Sequence, residues 1–384
     1  KQVDQKDYKK DIFEAIDFIS AILPKKKYLY KKTSLTNSGD FVGDNFVCKI
    51  DVPRFNQSAM DGIGISKISK KYKIVGKTSL TKLNKKIIRN NECLIVKTGS
   101  FINNSIKKIV PIEDLVREND IFYQKDNSKD DFIRAKGHVI KKNSIVFKKG
   151  YELHNKDIQF VESFHNYKIK IIKPLSFTLI GTGNEFFEKK EIKPTNIIYL
   201  QNFLKKNNQT LDKIKIIKDN QIKLEKLIKQ SKSNIVIVTG GTGKSDDDFY
   251  FQNKNLIING LNLKPGKPFK VMKIKNKIVF FFPGNPCSNF VLTNILLKGL
   301  FSKYYSNDTI QFEIMTIKKF ETLMITKFPF NKLKRKSFLF ANLQNNKVKI
   351  FDDQESSNIL NIIKSNILVY CDHSEYIKYI NIND

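Results

Sequence analysis

The chain has 384 residues and carries 69 Lys and Arg against 38 Asp and Glu, a formal net charge of +31. At about 100–200 residues per domain this length allows two to four domains, and 40% hydrophobic with 28% charged residues supplies buried cores and excludes wholesale disorder. No apolar run approaches the roughly 20 residues that span a bilayer, and the isolated Cys48, Cys93, Cys287 and Cys371 exclude a disulfide scaffold or a cysteine zinc site.

The N-terminal segment spaces Ile12, Ala15, Ile16, Ile19 and Leu23 along one helix face, which Pro24 ends. From about 48 to 139 short apolar runs at 73–75, 93–96 and 108–112 alternate with Gly, Asn and Lys and predict a small β-rich module. From about 167 strands and helices alternate. A strand over 176–180, a helix over 195–205, a strand over 214–217, helical periodicity over 222–228 and a strand over 234–238 precede a buried strand over 279–282. Pro286 then opens a helix that runs to about 300. This order predicts a doubly wound parallel sheet with its ligand site at the carboxyl ends of the strands. Short alternating strands return after about 306 and predict a separate small β domain.

The lysines are spread over all these segments beside a general surplus of Ile and Asn, as compositional bias produces, whereas a nucleic-acid surface concentrates its charge on one element. With no Trp and no basic cluster interleaved with aromatic residues, neither nucleic acid nor a membrane is expected as a partner. No signal-peptide pattern opens the sequence, so a reducing, cytoplasmic location is expected. His138, His154, His165 and His373 lack ligand spacing, and the basic run over 332–336 reads as a solvated turn.

Four loops combine residue types that carry chemistry. Thr239-Gly240-Gly241-Thr242-Gly243-Lys244-Ser245 follows the 234–238 strand, where glycines let consecutive backbone N–H groups form an anion-binding concavity. Asp246, Asp247 and Asp248 follow at once and would repel a bare phosphate, a combination that makes sense if a divalent cation such as Mg2+ bridges carboxylate and phosphate. A tight glycine turn without a ligand is the competing reading. Lys264-Pro265-Gly266-Lys267-Pro268 either projects two ammonium groups from a stiffened turn toward an oxyanion or is an ordinary Pro-Gly turn with solvated lysines. Pro283-Gly284-Asn285-Pro286 either offers helix N-terminal N–H donors to an anion or uses Asn285 simply as a cap. In the β-rich module Ser58-Ala59-Met60-Asp61-Gly62 follows Asp51-Val52-Pro53, and an Asp before Gly taken alone reads as a turn.

In chain order, Asp51-Val52-Pro53, Ser58-Ala59-Met60-Asp61-Gly62, Lys97-Thr98-Gly99, Thr182-Gly183-Asn184-Glu185, Thr239-Gly240-Gly241, Lys264-Pro265-Gly266-Lys267-Pro268 and Pro283-Gly284-Asn285-Pro286 resemble the motif series of the molybdopterin molybdenumtransferases. This is the MoeA family, which includes the gephyrin E domain, and the ordered match runs from about 12 to about 370. The resemblance implies an α/β plus β chain with a doubly wound, MogA-like molybdopterin-binding domain over 1–26 and 166–307. It also implies a connecting β segment over 27–48 and 140–165, an inserted β-rich domain over 49–139 and a C-terminal β-barrel over 308–384. The implied assembly is a homodimer with its site between subunits.

The implied activity is insertion of molybdate into adenylylated molybdopterin with release of AMP, with Mg2+ as the cation and a molybdopterin adenylyltransferase as a partner. Carried over by motif, Asp61, Thr98, Glu185, Asp248 and Lys264 would be catalytic, with Glu185 and Asp248 holding the metal. Gly240, Gly241, Thr242, Lys267, Pro283 and Asn285 would line the pterin-phosphate pocket. The residue types suit that chemistry, because cleaving a phosphoanhydride builds negative charge on oxygens that lysines and a cation stabilise.

The sequence departs from the family pattern in places. Where the family shows Arg-x-x-Gly-Glu-Asp, Arg134-Ala135-Lys136-Gly137 runs into His138-Val139, and the usual Gly-Asp-Glu is Gly183-Asn184-Glu185. The lysine often found shortly before Lys-Pro-Gly-Lys-Pro is missing near Gly260. Two expectations follow. Either molybdenum insertion is retained with fewer acids, Asp246 or Asp247 compensating, or the chain is a catalytically weakened molybdopterin-binding or scaffold protein of the same family.

Overall fold

A computed structural model describes residues 10–125, 129–164, 168–188, 191–241, 255–310, 313–316, 324–325, 333–372 and 376–382. The chain forms two compact units: residues 30–171, and the flanking segments up to 29 and from 172 onward.

The 30–171 unit centres on a six-stranded sheet in the order Lys108–Pro111, Gly62–Ile65, Glu92–Val96, Lys71–Lys77, Ile121–Gln124, Leu115–Glu118. The predicted runs at 73–75, 93–96 and 108–112 fall on three of these strands. Alternation along the strands sorts their side chains to two faces. Ile63, Ile65, Tyr72, Cys93, Val110 and Phe122 pack on one, and Leu94, Val96, Ile102, Ile106 and Ile109 on the other. The short Phe46–Val47 and Ile145–Phe147 strands pair antiparallel where the chain enters and leaves this sheet.

In the other unit the Ile12–Ile22 helix opens on an Asp11/Glu14 capping box and ends at Leu23, before Pro24. The central sheet has the order Thr210–Ile217, Ser176–Thr182, Ile235–Thr239, Lys277–Phe282, Lys270–Ile274, Leu256–Asn259. The first four strands run parallel, whereas Lys270–Ile274 pairs antiparallel with both of its neighbours, so the sheet is mixed rather than wholly parallel as expected. The reason is the Lys275-Asn276 link, since Ile274 pairs directly with Lys277 and a parallel crossover needs a dozen or more residues.

Helices cover both faces of this sheet. The Gln221–Gln230 helix packs Leu224 and Ile228 against Ile180, Val236, Val238, Val279 and Phe281. On the opposite face Phe301 meets Phe177 edge-on at 5.9 Å and stacks on Phe203 at 6.0 Å, which seats the Thr195–Lys206 helix and the helical run over 286–305. Phe177, Phe280, Phe281 and Phe282 are fully buried, and each contributes about 1.5–3 kcal/mol relative to exposure.

The C-terminal segment forms a third six-stranded sheet, in the order Glu313–Thr316, Tyr376–Asn381, Ile367–Cys371, Ser337–Gln344, Lys347–Ile350, Met324–Ile325. Its core is Leu339, Ala341, Val348, Ile350, Ile367 and Val369. Among the described residues no pairing joins the two end strands, so the barrel expected here is seen only as an open sheet. Among the described residues no helix is long and apolar enough to cross a membrane, and the four cysteines are free and buried.

Candidate functional site

The parallel strands converge on one edge. In register, Gly181 lies beside Thr239 and Thr239 beside Phe282, so the loops that begin at Gly183, Gly240 and Pro283 emerge together. Strand order reverses between Ser176–Thr182 and Ile235–Thr239, and at such a switch point the diverging loops leave a crevice for a ligand.

The loops are held close by their backbones. Gly240 has φ +97°, and a Cβ there would lie 2.5 Å from the Thr182 carbonyl oxygen, so glycine is required. The Gly240 N–H donates to the Phe282 carbonyl at 3.3 Å, and the Thr182 hydroxyl donates to the Thr239 carbonyl at 3.3 Å. Asn196, in the first turn of the Thr195–Lys206 helix, donates its amide to the Gly284 carbonyl at 2.7 Å. Pro283 is buried and Gly284 exposed. Asn285 accepts from the Ser288 N–H at 3.2 Å as a helix cap, and its amide donates to the Ser356 hydroxyl at 3.1 Å. Both ends of that side chain are therefore engaged within the chain. Thr242 and Asp248, with Asp246 and Asp247, lie outside the described residues, as do His165 and His373.

Two further loops reach this edge. Glu185 is exposed and opens a single helical turn, Glu185–Glu188. The preceding Asn184 is clamped reciprocally to Asp219: its N–H donates to the Asp219 carboxylate at 3.0 Å, and the Asp219 N–H donates to the Asn184 side-chain oxygen at 3.2 Å. Asp219 was not singled out from the sequence. The available signal was its place two residues after the Thr210–Ile217 strand, the same kind of strand-to-helix junction that carries other candidate residues.

The Lys-Pro-Gly-Lys-Pro loop precedes the Lys270–Ile274 strand, whose first residue pairs with Phe281, so it too opens at this edge. The Leu261 N–H donates to the Lys267 carbonyl at 3.0 Å, and that of Phe269 to the Gly266 carbonyl at 3.1 Å. Lys264 adds a backbone bridge to the C-terminal sheet, donating to the Lys336 carbonyl at 3.0 Å and accepting from the Phe338 N–H at 2.9 Å. Lys264 and Lys267 are both exposed on this pinned backbone.

In the 30–171 unit two of the expected site residues, Asp61 and Thr98, meet. The Thr98 N–H and hydroxyl both donate to the same Asp61 carboxylate oxygen, at 2.6 and 2.8 Å, and the backbone N–H followed by the hydroxyl holds the Asp61 pKa below the ordinary carboxylate value. Gly99 donates to the Ser58 carbonyl at 2.8 Å, and Gly62 passes so near the next strand that a Cβ would lie 2.0 Å from the Val110 carbonyl oxygen. Asp61 is thus an exposed carboxylate on a rigid strand entrance. Where the two family acids are replaced, Lys136 pairs with Asp51 at 3.4 Å, and Asp51 also accepts the Lys142 N–H at 2.9 Å. Among the described residues there is no cluster of three or more His, Cys, Asp or Glu that could hold a metal ion.

Two family models match in tandem: the MoeA N-terminal region (domain I and II) over residues 11–164, and the "probable molybdopterin binding domain" over residues 178–302. A molybdopterin molybdenumtransferase of Staphylococcus aureus is 24% identical over 280 residues, covering 67% of each chain. One of Haemophilus influenzae is 25% identical over 281 residues, 68% of this chain and 69% of the other. The fold matches the crystal structure of the molybdopterin biosynthesis moeA protein of Pyrococcus horikoshii with a TM-score of 0.76 at 20% identity, over 97% of this chain and 100% of that one. With both domains in the same order, the motif series intact at most positions and the fold shared along nearly the whole chain, this protein belongs to the MoeA family.

Proposed function

We propose that the chain inserts molybdate into adenylylated molybdopterin and releases AMP, as a cytoplasmic homodimer in which Asp61 and Thr98 of one copy serve the carboxyl-edge loops of the other. A molybdopterin adenylyltransferase is the partner that supplies the substrate. The observation that carries this reading is the convergence, at one sheet edge, of exposed lysines on a pinned loop with a glycine loop and carboxylates.

Each group has work suited to its chemistry. Gly241 offers its backbone N–H at a switch-point crevice, where a phosphate is favoured, and Gly240, whose own N–H is held by the Phe282 carbonyl, lets the backbone come close without a side chain. Lys264 and Lys267 neutralise the charge that builds as a water oxygen attacks the AMP phosphorus and the phosphoanhydride P–O bond breaks, leaving AMP and the phosphorylated pterin. Glu185 and Asp219 present oxygen donors, the type a hard divalent cation such as Mg2+ prefers alongside substrate phosphates, so this donor set fits that ion, with Asp248 the additional acid implied by the family motif. When bound, the cation would draw charge from the phosphate oxygens. Asp61, kept ionised by Thr98, can accept a proton from a pterin thiol as sulfur replaces a molybdate oxygen, two thiol protons leaving with that oxygen as water.

Substrate binding and turnover separate these roles. Lys264→Gln with Lys267→Gln should weaken binding of adenylylated molybdopterin at least tenfold, whereas Asp61→Asn should keep binding and lose turnover. Unchanged binding in the first variant, or unchanged turnover in the second, would overturn the assignment. A binding or scaffold role is favoured only by the Lys136–Asp51 pair at the altered family acids, and tight binding without any AMP release by the unaltered protein would establish it.

A further inference from the structure

At the opposite end of the central sheet, where strands begin, a concavity of about 280 Å³ is lined by Lys25, Lys27, Lys173 and Lys232. Ser176 and Thr210 are the first residues of their strands, and Asn234 immediately precedes the Ile235–Thr239 strand, which fixes the concavity at the amino ends. At about 3.3 Å per residue, the Ser176–Thr182 strand puts it on the order of 20 Å from the glycine loops.

None of the four ammonium groups has an ion-pair or hydrogen-bond partner among the described residues, whereas Lys31, Lys303 and Lys336 each hold an aspartate at 2.6–2.7 Å. The one lining acid, Asp212, accepts the Ser233 hydroxyl at 2.6 Å. Four like charges around one hollow repel each other, and a bound anion relieves that repulsion. Tyr304 adds a neutral donor. It is 7% exposed, lines the hollow, and makes no hydrogen bond through its hydroxyl among the described residues. Burial pushes its phenol up to about 12, so it stays protonated at neutral pH. The floor is rigid, since Asn234 accepts from the Ser176 N–H and hydroxyl, both at 3.1 Å.

We propose that this hollow is a second binding site, for a small phosphorylated anion. Its volume falls below the roughly 300–1,000 Å³ of pockets that enclose drug-sized ligands, which favours a compact phosphate or diphosphate group over a whole nucleotide. Ammonium groups on flexible stems suit such a point-charge partner.

The test uses the full chain and inorganic pyrophosphate as the probe, followed by calorimetry and 31P NMR at low and moderate salt. Saturable binding should persist in Lys264→Gln with Lys267→Gln, which removes any contribution of the glycine-loop edge, and in that background it should weaken at least tenfold in Lys173→Gln with Lys232→Gln and several-fold in Tyr304→Phe. Binding lost only in the Lys264/Lys267 variant would place the anion at the glycine loops and overturn the proposal. Absence of saturable binding, or equal losses from every pair of lysines replaced, would overturn it as well. Neither result bears on turnover at the other edge, so the two readings fail separately.

Discussion

Replacing Gly240 by alanine tests the packing that shapes the candidate site. Gly240 sits at φ +97°, where a side chain costs about 1–3 kcal/mol. The added Cβ would also lie 2.5 Å from the Thr182 carbonyl oxygen and 2.8 Å from its hydroxyl, both anchored at the end of a paired strand. Restoring ordinary contact means parting two strand ends by several tenths of an ångström, for about 1–2 kcal/mol more. The sum, about 3 kcal/mol, corresponds to a fall in Tm of about 6–12 °C for a unit of this size. Gly284 is the internal control, because its Cβ would meet nothing nearer than the Gly240 Cα at 3.6 Å. Urea denaturation of Gly240→Ala and Gly284→Ala should show a large loss in the first and under about 0.5 kcal/mol in the second. Equal stability of Gly240→Ala and the unaltered protein, or equal damage in both variants, would refute the reasoning.

Asp219→Ala removes the acceptor of the Asn184 N–H and should cost about 1.5 kcal/mol, the low end for a bond to a charged group; the stability loss should be small beside an AMP-release rate falling more than tenfold as the backbone leading into Glu185 is released. Because its folded pKa is depressed, Asp61 contributes stability that is fully present above the ordinary carboxylate pKa and is lost only as pH falls through the depressed value. Thr98→Val deletes the hydroxyl donor and should move the Asp61 titration, followed by carboxyl 13C NMR, upward; no movement would contradict the assigned cause. Burial pushes Cys93 and Cys371 up to about 12 and Cys287 to about 11, so a disulfide reagent at pH 8 should label these thiols only after unfolding, and rapid labelling of the native protein would contradict their burial.

The central parallel strands were legible because each is a near-continuous apolar run bounded by Gly or Asn, as burial on both faces demands. The Leu256–Asn259 and Lys270–Ile274 strands were not, since they end the sheet and mix lysine and asparagine with apolar residues, as an edge tolerates. Among the candidate residues, the contact between Asp61 and Thr98 could not be read from local pattern, since 37 positions separate them and local pattern cannot pair strands. The Asn184–Asp219 clamp was hidden for the same reason. Asn285 shows how a motif residue can carry fold, with its oxygen capping a helix and its nitrogen reaching Ser356 in the C-terminal segment. The charge of +31 divides in a way that composition alone could not reveal: two lysines on the pinned loop, four around the hollow at the amino ends, and the rest dispersed.

The most direct measurement is AMP release from adenylylated molybdopterin by the purified full-length chain, with Mg2+ and with or without molybdate. The account predicts release that requires molybdate and is abolished in Asp61→Asn without loss of folding. No release under conditions where a Staphylococcus aureus relative works, or release at the same rate without molybdate, would contradict it.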